Sequence, residues 1–92
     1  MKVLLKSIGD LRDYFGKEPQ EIALAEGATF YDLLTAIDVI WGMKLPAYLW
    51  NPVSKRFKGP VFFLINKQVV MDLNSPVPAG CTIELLRALA GG

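Results

Sequence analysis

Histidine is missing from all 92 residues, and cysteine occurs once, at Cys81. Without histidine there is no imidazole to act as a metal ligand or as a general base near neutral pH. A single cysteine forms no internal disulfide, which fits a reducing cytoplasm. Excess charge is lacking too: the formal net charge is +1, so no electrostatic case exists for nucleic acid. No apolar run approaches the roughly 20 residues that a membrane-crossing helix needs. The opening Met1-Lys2-Val3-Leu4-Leu5-Lys6 is too short, and too soon interrupted by charge, to read as a secretory leader.

Apolar residues, by contrast, make up 52% of the chain, enough for the core of one small domain. Lys2 to Ile8 reads as a strand, with Val3 and Leu5 on one face and Lys2 and Lys6 on the other. Gly9-Asp10 breaks it, and Leu11 to Phe15 is expected to form one helical turn ended by Gly16. Glu21 to Ala25 reads as a second strand, in a hairpin with the first.

The clearest signal follows. Thr29-Phe30-Tyr31-Asp32 has capping-box spacing, and Phe30, Leu33, Leu34, Ile37 and Trp41 recur at helical intervals. The pattern predicts a helix with one buried face, stopping at Gly42. From Met43 to Pro60 the text is irregular, because Pro46, Pro52 and Pro60 forbid a long helix. Leu45 to Trp50 is compatible with a short second helix. Trp41, Tyr48, Leu49 and Trp50 would either line a docking patch or fill the core, the commoner fate of aromatics. Lys55, Arg56 and Lys58 read as a solvated basic loop.

Val61 to Ile65 is a continuous apolar run, expected to be a central strand. Asn66-Lys67 is the expected tight turn, and Gln68 to Met71 the returning strand. Asn74-Ser75-Pro76 and Pro78-Ala79-Gly80 are turns, and Thr82 to Arg87 is the final strand. Strand pairs flanking one amphipathic helix give an α+β architecture, in which the first and last strands would pair in parallel. Asp10, Asp13, Asp32, Asp38 and Asp72 are scattered at turns and helix ends, where they suggest capping and solvation. Cys81 has no neighbour in sequence that would make it reactive, and a packing role is expected.

The sequence closes on Ala90-Gly91-Gly92. With glycine at about 7% of ordinary usage, such a pair ends roughly one chain in 200 by chance. Glycine has no Cβ, so Gly91-Gly92 would be a strip thin enough to enter another protein's active site. A free carboxylate is a poor electrophile, so this end would need a partner to activate it. The bland alternative is a frayed terminus.

Taken in order, Lys2-Val3-Leu4-Leu5, Leu11-Arg12-Asp13-Tyr14-Phe15-Gly16, Gly27-Ala28-Thr29, Leu64-Ile65-Asn66-Lys67, Pro78-Ala79-Gly80 and the terminal glycines resemble the ubiquitin-like sulfur carriers of molybdopterin and thiamine synthesis. The stretch through Leu11-Arg12 to Gly16, and the extra residues after the helix, bring the chain closer to the molybdopterin synthase small subunit. The resemblance implies a ubiquitin-like β-grasp: a mixed sheet of four to five strands on one main helix, with residues 1–88 as a single domain and 89–92 as a flexible tail.

It also implies that an adenylyltransferase of the ubiquitin-activating type uses MgATP to adenylate Gly92. A persulfide donor would convert Gly92 to a thiocarboxylate, and a larger synthase subunit would receive it. Ala90 and Gly91 would thread the channel, and Leu89 and Arg87 would bind the partner at its mouth. The carrier itself would hold no cofactor and no metal, and would be neither a nucleic-acid nor a membrane binder. Departures include Cys81 where carriers often have an acidic residue, and Arg87-Ala88-Leu89-Ala90 in place of a proline-containing tail. Two other roles fit the same sequence: a modifier joined to lysines through Gly92, and a binding module whose glycines do nothing.

Overall fold

A computed structural model describes residues 1–88. Its frame is a five-stranded sheet with one long helix against one face. The strands are β1 (Lys2–Ser7), β2 (Gln20–Ala23), β5 (Val61–Ile65), β6 (Gln68–Val69) and β7 (Thr82–Arg87), in the spatial order β2-β1-β7-β5-β6. The helix is α2 (Phe30–Trp41); a single turn, α1 (Arg12–Phe15), follows β1, and β3 (Trp50–Asn51) and β4 (Arg56–Phe57) form a separate hairpin.

β1 and β7 are parallel, with Leu5 opposite Ile83 and Ser7 opposite Leu85; the other pairs are antiparallel. The cause lies in the alternation of side chains. Val3 and Leu5 of β1, Ile22 of β2, Phe63 of β5, and Ile83 and Leu85 of β7 all bury on the helix side. Phe30, Leu33, Leu34 and Ile37 of α2 meet them there. The capping box forms as the spacing predicts: Asp32 N–H donates to Thr29 Oγ1 at 3.3 Å, and Thr29 N–H to Asp32 Oδ2 at 2.8 Å. Asn66 and Lys67 both take positive φ, 51° and 65°, the geometry that a two-residue β5–β6 hairpin requires.

Several expectations are corrected. The middle of the sheet is β7, not Val61–Ile65, whose outward Phe62 is 39% exposed. An unbroken apolar run does not distinguish a strand buried on both sides from one whose outer face is apolar and open. β2 spans Gln20–Ala23 and β6 only Gln68–Val69. Leu45–Trp50 is not a helix; the short helical piece is a 3-10 turn at Gly42–Lys44, and the chain then enters β3. Gly42 has φ −49°, so it carries the chain onward in right-handed geometry and does not stop it in a left-handed turn.

What Gly42 supplies is space. A Cβ there would sit 2.5 Å from Asp38 Oδ1, the oxygen that accepts the Trp50 Nε1–H bond at 2.9 Å. Asp38 is therefore neither a cap nor merely solvated: it ties the helix to the insert. Trp41, Leu49 and Trp50 are buried, leaving Tyr48 as the exposed member of the four. Phe15, Trp41, Trp50 and Phe57 form a chain of edge-on aromatic contacts, with centroids 4.8–6.2 Å apart. The insert thus extends the core past the end of α2.

Candidate functional site

The site of interest is the end of β7, where the described chain meets the four residues expected to carry the chemistry. Leu89, Ala90, Gly91 and Gly92 lie outside the described residues, so the expected tail and the threading and binding roles assigned to them find no structural statement here.

The position of β7 between β1 and β5 fixes this end from two sides. Ile8 N–H donates to the Leu85 carbonyl at 3.0 Å, and Ala88 N–H donates to the Pro60 carbonyl at 2.8 Å. Arg87 continues the alternation that buries Ile83 and Leu85, so it falls on their face. Its Nη1 donates to Asp10 Oδ2 at 3.0 Å, and its guanidinium carbon lies 5.5 Å from the Tyr48 ring centroid. The Tyr48 hydroxyl is hydrogen-bonded to that of Tyr14. That bond, then partial loss of water, raises the Tyr14 pKa above the ordinary phenol value. Arg87, expected from sequence to bind the partner, is held by contacts within the chain at a partly exposed position. Asp10, read as a turn carboxylate, is its partner across 77 positions of sequence.

The outer face of the sheet is exposed and partly apolar. Leu4, Phe62 and Val69 are each about two-fifths exposed, and Phe62 stands opposite the half-buried Leu86. Elsewhere a cleft of about 270 Å³ opens beside β5, lined by Leu34, Phe57, Val61, Phe63, Val70 and Leu73. Arg56 at its rim stacks over Tyr31 at 4.3 Å, and Nη1 donates to the Ser54 and Lys55 carbonyls. The basic stretch is thus part loop and part strand.

Catalytic groupings are sparse. No cluster of three or more metal-ligating side chains occurs among the described residues, and no helix among them is long and apolar enough to cross a membrane. Asp32 caps α2, and Asp72 accepts from Asn74 N–H at 2.9 Å in a turn. Cys81 is partly buried against the core, and desolvation pushes its thiol pKa up. At neutral pH it is therefore a protonated packing residue and not an activated nucleophile. Alkylation by iodoacetamide at pH 7 should be slower in the folded protein than in urea. Folded-state labelling as fast as in urea would contradict this assignment.

With this geometry in view, the chain can be compared with known proteins. No protein-family model matches it, and no curated protein does. Among solved structures, small archaeal modifier protein 1 of Haloferax volcanii superposes with a TM-score of 0.78 at 20% identity, covering all of both chains. A Pyrococcus furiosus protein described as a molybdopterin converting factor, subunit 1, gives 0.71 at 21% identity, over 96% of this chain and 98% of that one. A ubiquitin-like protein of Caldiarchaeum subterraneum gives 0.50 at 18%, over 99% and 100%.

The chain thus has the ubiquitin-like β-grasp fold. The resemblance read from its sequence, to the ubiquitin-like sulfur carriers with the molybdopterin branch included, is supported by these neighbours at the level of fold.

Proposed function

We propose that this protein is a sulfur carrier in molybdopterin or a related cofactor synthesis, working through the Gly92 carboxylate in the cytoplasm. The observation that carries the reading is the placement of its last strand. β7 is the middle strand of the sheet, its end is fixed at Arg87 and Ala88, and the sequence beyond reads Leu89-Ala90-Gly91-Gly92. A rigid body presenting a thin acyl end does the work of positioning, and the partners would supply the acid–base chemistry.

In the proposed sequence, a ubiquitin-activating-like adenylyltransferase binds the β-grasp body and MgATP. The Gly92 carboxylate attacks the α-phosphorus, pyrophosphate leaves, and an acyl adenylate forms. A persulfide sulfur attacks the acyl carbon, expelling AMP and giving an acyl disulfide. A thiol reductant opens its S–S bond to leave the thiocarboxylate. A larger synthase subunit then accepts the tail and takes the sulfur, as suits a fold shared with a molybdopterin converting factor subunit.

A second reading draws on the modifier named among the neighbours: the same adenylate would form an isopeptide with a lysine. Intact mass after incubation with the activating enzyme, MgATP and a sulfur source separates the two. Exchange of one oxygen for sulfur at the C-terminus is the expected result. Lysine-linked conjugates alone would favour the modifier, and an unchanged mass with an enzyme competent on other carriers would overturn both.

A further inference from the structure

The Met43–Pro60 stretch takes no part in the chemistry just described, yet it reaches the end of β7. Its Leu49 and Trp50 are buried, anchoring it to the core, while Tyr48 stands 58% exposed beside Arg87. Tyr14 of α1 holds the Tyr48 hydroxyl, and Asp10, in the 3-10 turn Gly9–Leu11, holds the Arg87 guanidinium. Two segments remote in sequence, residues 10–14 and the insert, thus meet at one side chain, Asp10 and Tyr48 touching it directly and Tyr14 through Tyr48, and that side chain belongs to the last residue of the last strand.

We propose that Asp10 and Tyr48 are positioning residues that grip Arg87 and so set the point at which the chain leaves the sheet. The inference deepens the carrier reading and rests on it. Strand ends fray unless they are tied down. With the grip in place, the last sheet-side bond among the described residues is Ala88 N–H to the Pro60 carbonyl, and the four positions 89–92 span at most about 14 Å. If the grip is lost, the end unpairs back through Arg87, and each residue released adds up to about 3.5 Å of reach and its own conformational entropy. An activating enzyme would have to order those residues before chemistry. The effect therefore falls on KM and not on kcat.

The ion pair is partly exposed, 26% and 47% for the two side chains, and the guanidinium–ring contact is a second weak tie. Neither is strong singly, so the expected change is about two- to fivefold and not a collapse. Asp10→Asn and Tyr48→Ala should each speed hydrogen exchange of the Ala88 amide by that factor in the isolated protein, with the core amides of β1 and α2 unmoved. Tyr48→Phe keeps the ring and should change less.

In adenylation, followed as pyrophosphate release with the activating enzyme and MgATP, Asp10→Asn should raise KM about two- to fivefold at constant kcat. Charge reversal decides between an internal grip and direct contact of Arg87 with the partner. Asp10→Arg and Arg87→Asp should each raise KM, and the double variant should restore it. Unchanged Ala88 exchange in Asp10→Asn and Tyr48→Ala would overturn the grip itself. A silent Asp10→Asn, or a double variant no better than Arg87→Asp, would overturn its role in positioning. If the wild type is not adenylated at all, the carrier reading fails, and the exchange measurement still decides whether the strand end is held as proposed.

Discussion

Deletion of Gly92 is expected to lower the rate of adenylation at least about 100-fold while leaving thermal stability unchanged. Removing one residue withdraws the acyl carbon by about 3.5 Å, and even a 1 Å misplacement of a reacting group costs on the order of 100-fold. Adding an alanine after Gly92 should be as damaging, because the carboxylate then sits one residue too far on and the final position carries a side chain. Gly91→Val tests width separately from length: the register of the tail is kept, but an isopropyl group is added where the strip must be thin.

The stability half rests on the fold. All five strands of the sheet and the long helix are complete by Arg87, and among the described residues the last sheet-side hydrogen bond is made by Ala88. Gly92 has no side chain to bury, so its removal should change stability by no more than about 0.5 kcal/mol, the range of ordinary surface substitutions. The measurements are initial rates of pyrophosphate release and thermal unfolding of the same preparations. Near-normal adenylation of the truncated protein would remove Gly92 from the reaction. A loss of several degrees in Tm would show that residues 89–92 contribute to the folded body.

The elements legible in sequence are those whose cause is local and repeated. α2 was readable because five apolar positions recur at helical spacing behind a capping box, and both features need only neighbours within four residues. The Asn66-Lys67 turn was readable because few residues accept positive φ there. The parallel pairing of β1 with β7 was open to sequence because long apolar strands belong in the middle of a sheet and the chain between these two is long enough for a crossover. The Met43–Pro60 insert was not legible. Its prolines say what it cannot be, and two-residue strands such as Trp50–Asn51 and Arg56–Phe57 are too short to show a period.

The site was legible in the same uneven way. Arg87 drew notice by its nearness to the terminal glycines, but nothing around it in sequence announces Asp10, 77 positions away, or Tyr48. Both look like ordinary turn and surface residues until the parallel β1–β7 pair brings the residues after β1 beside the end of β7. Asp38 was misread for a related reason. By helical spacing it lies on the flank of the apolar face, and its partner Trp50 arrives only after the chain has turned back through Pro46.

That contact sets the second large effect. Trp50→Ala is expected to destabilise the protein by about 3–5 kcal/mol, a large share of the total stability of a small domain. Trp50 is only 1% exposed and packs edge-on against Phe57 at 4.8 Å, so truncation to alanine opens a cavity in the aromatic extension of the core. It also deprives Asp38 of its indole donor at a half-buried position. Trp50→Phe separates the two causes, since it keeps most of the apolar volume and loses the donor; it should cost about 1–3 kcal/mol, the usual penalty for stranding a hydrogen-bonded partner. Asp38→Asn keeps an acceptor oxygen for the indole and should cost less than Trp50→Phe. Urea unfolding followed by far-UV circular dichroism gives all three differences without relying on the fluorescence of the residue that is changed. A loss below about 1 kcal/mol for Trp50→Ala would mean that the insert is not fastened to α2 as described. Tyr48, two residues before Trp50, would then lose its footing beside Arg87, so the unfolding result also bears on the grip at the end of β7.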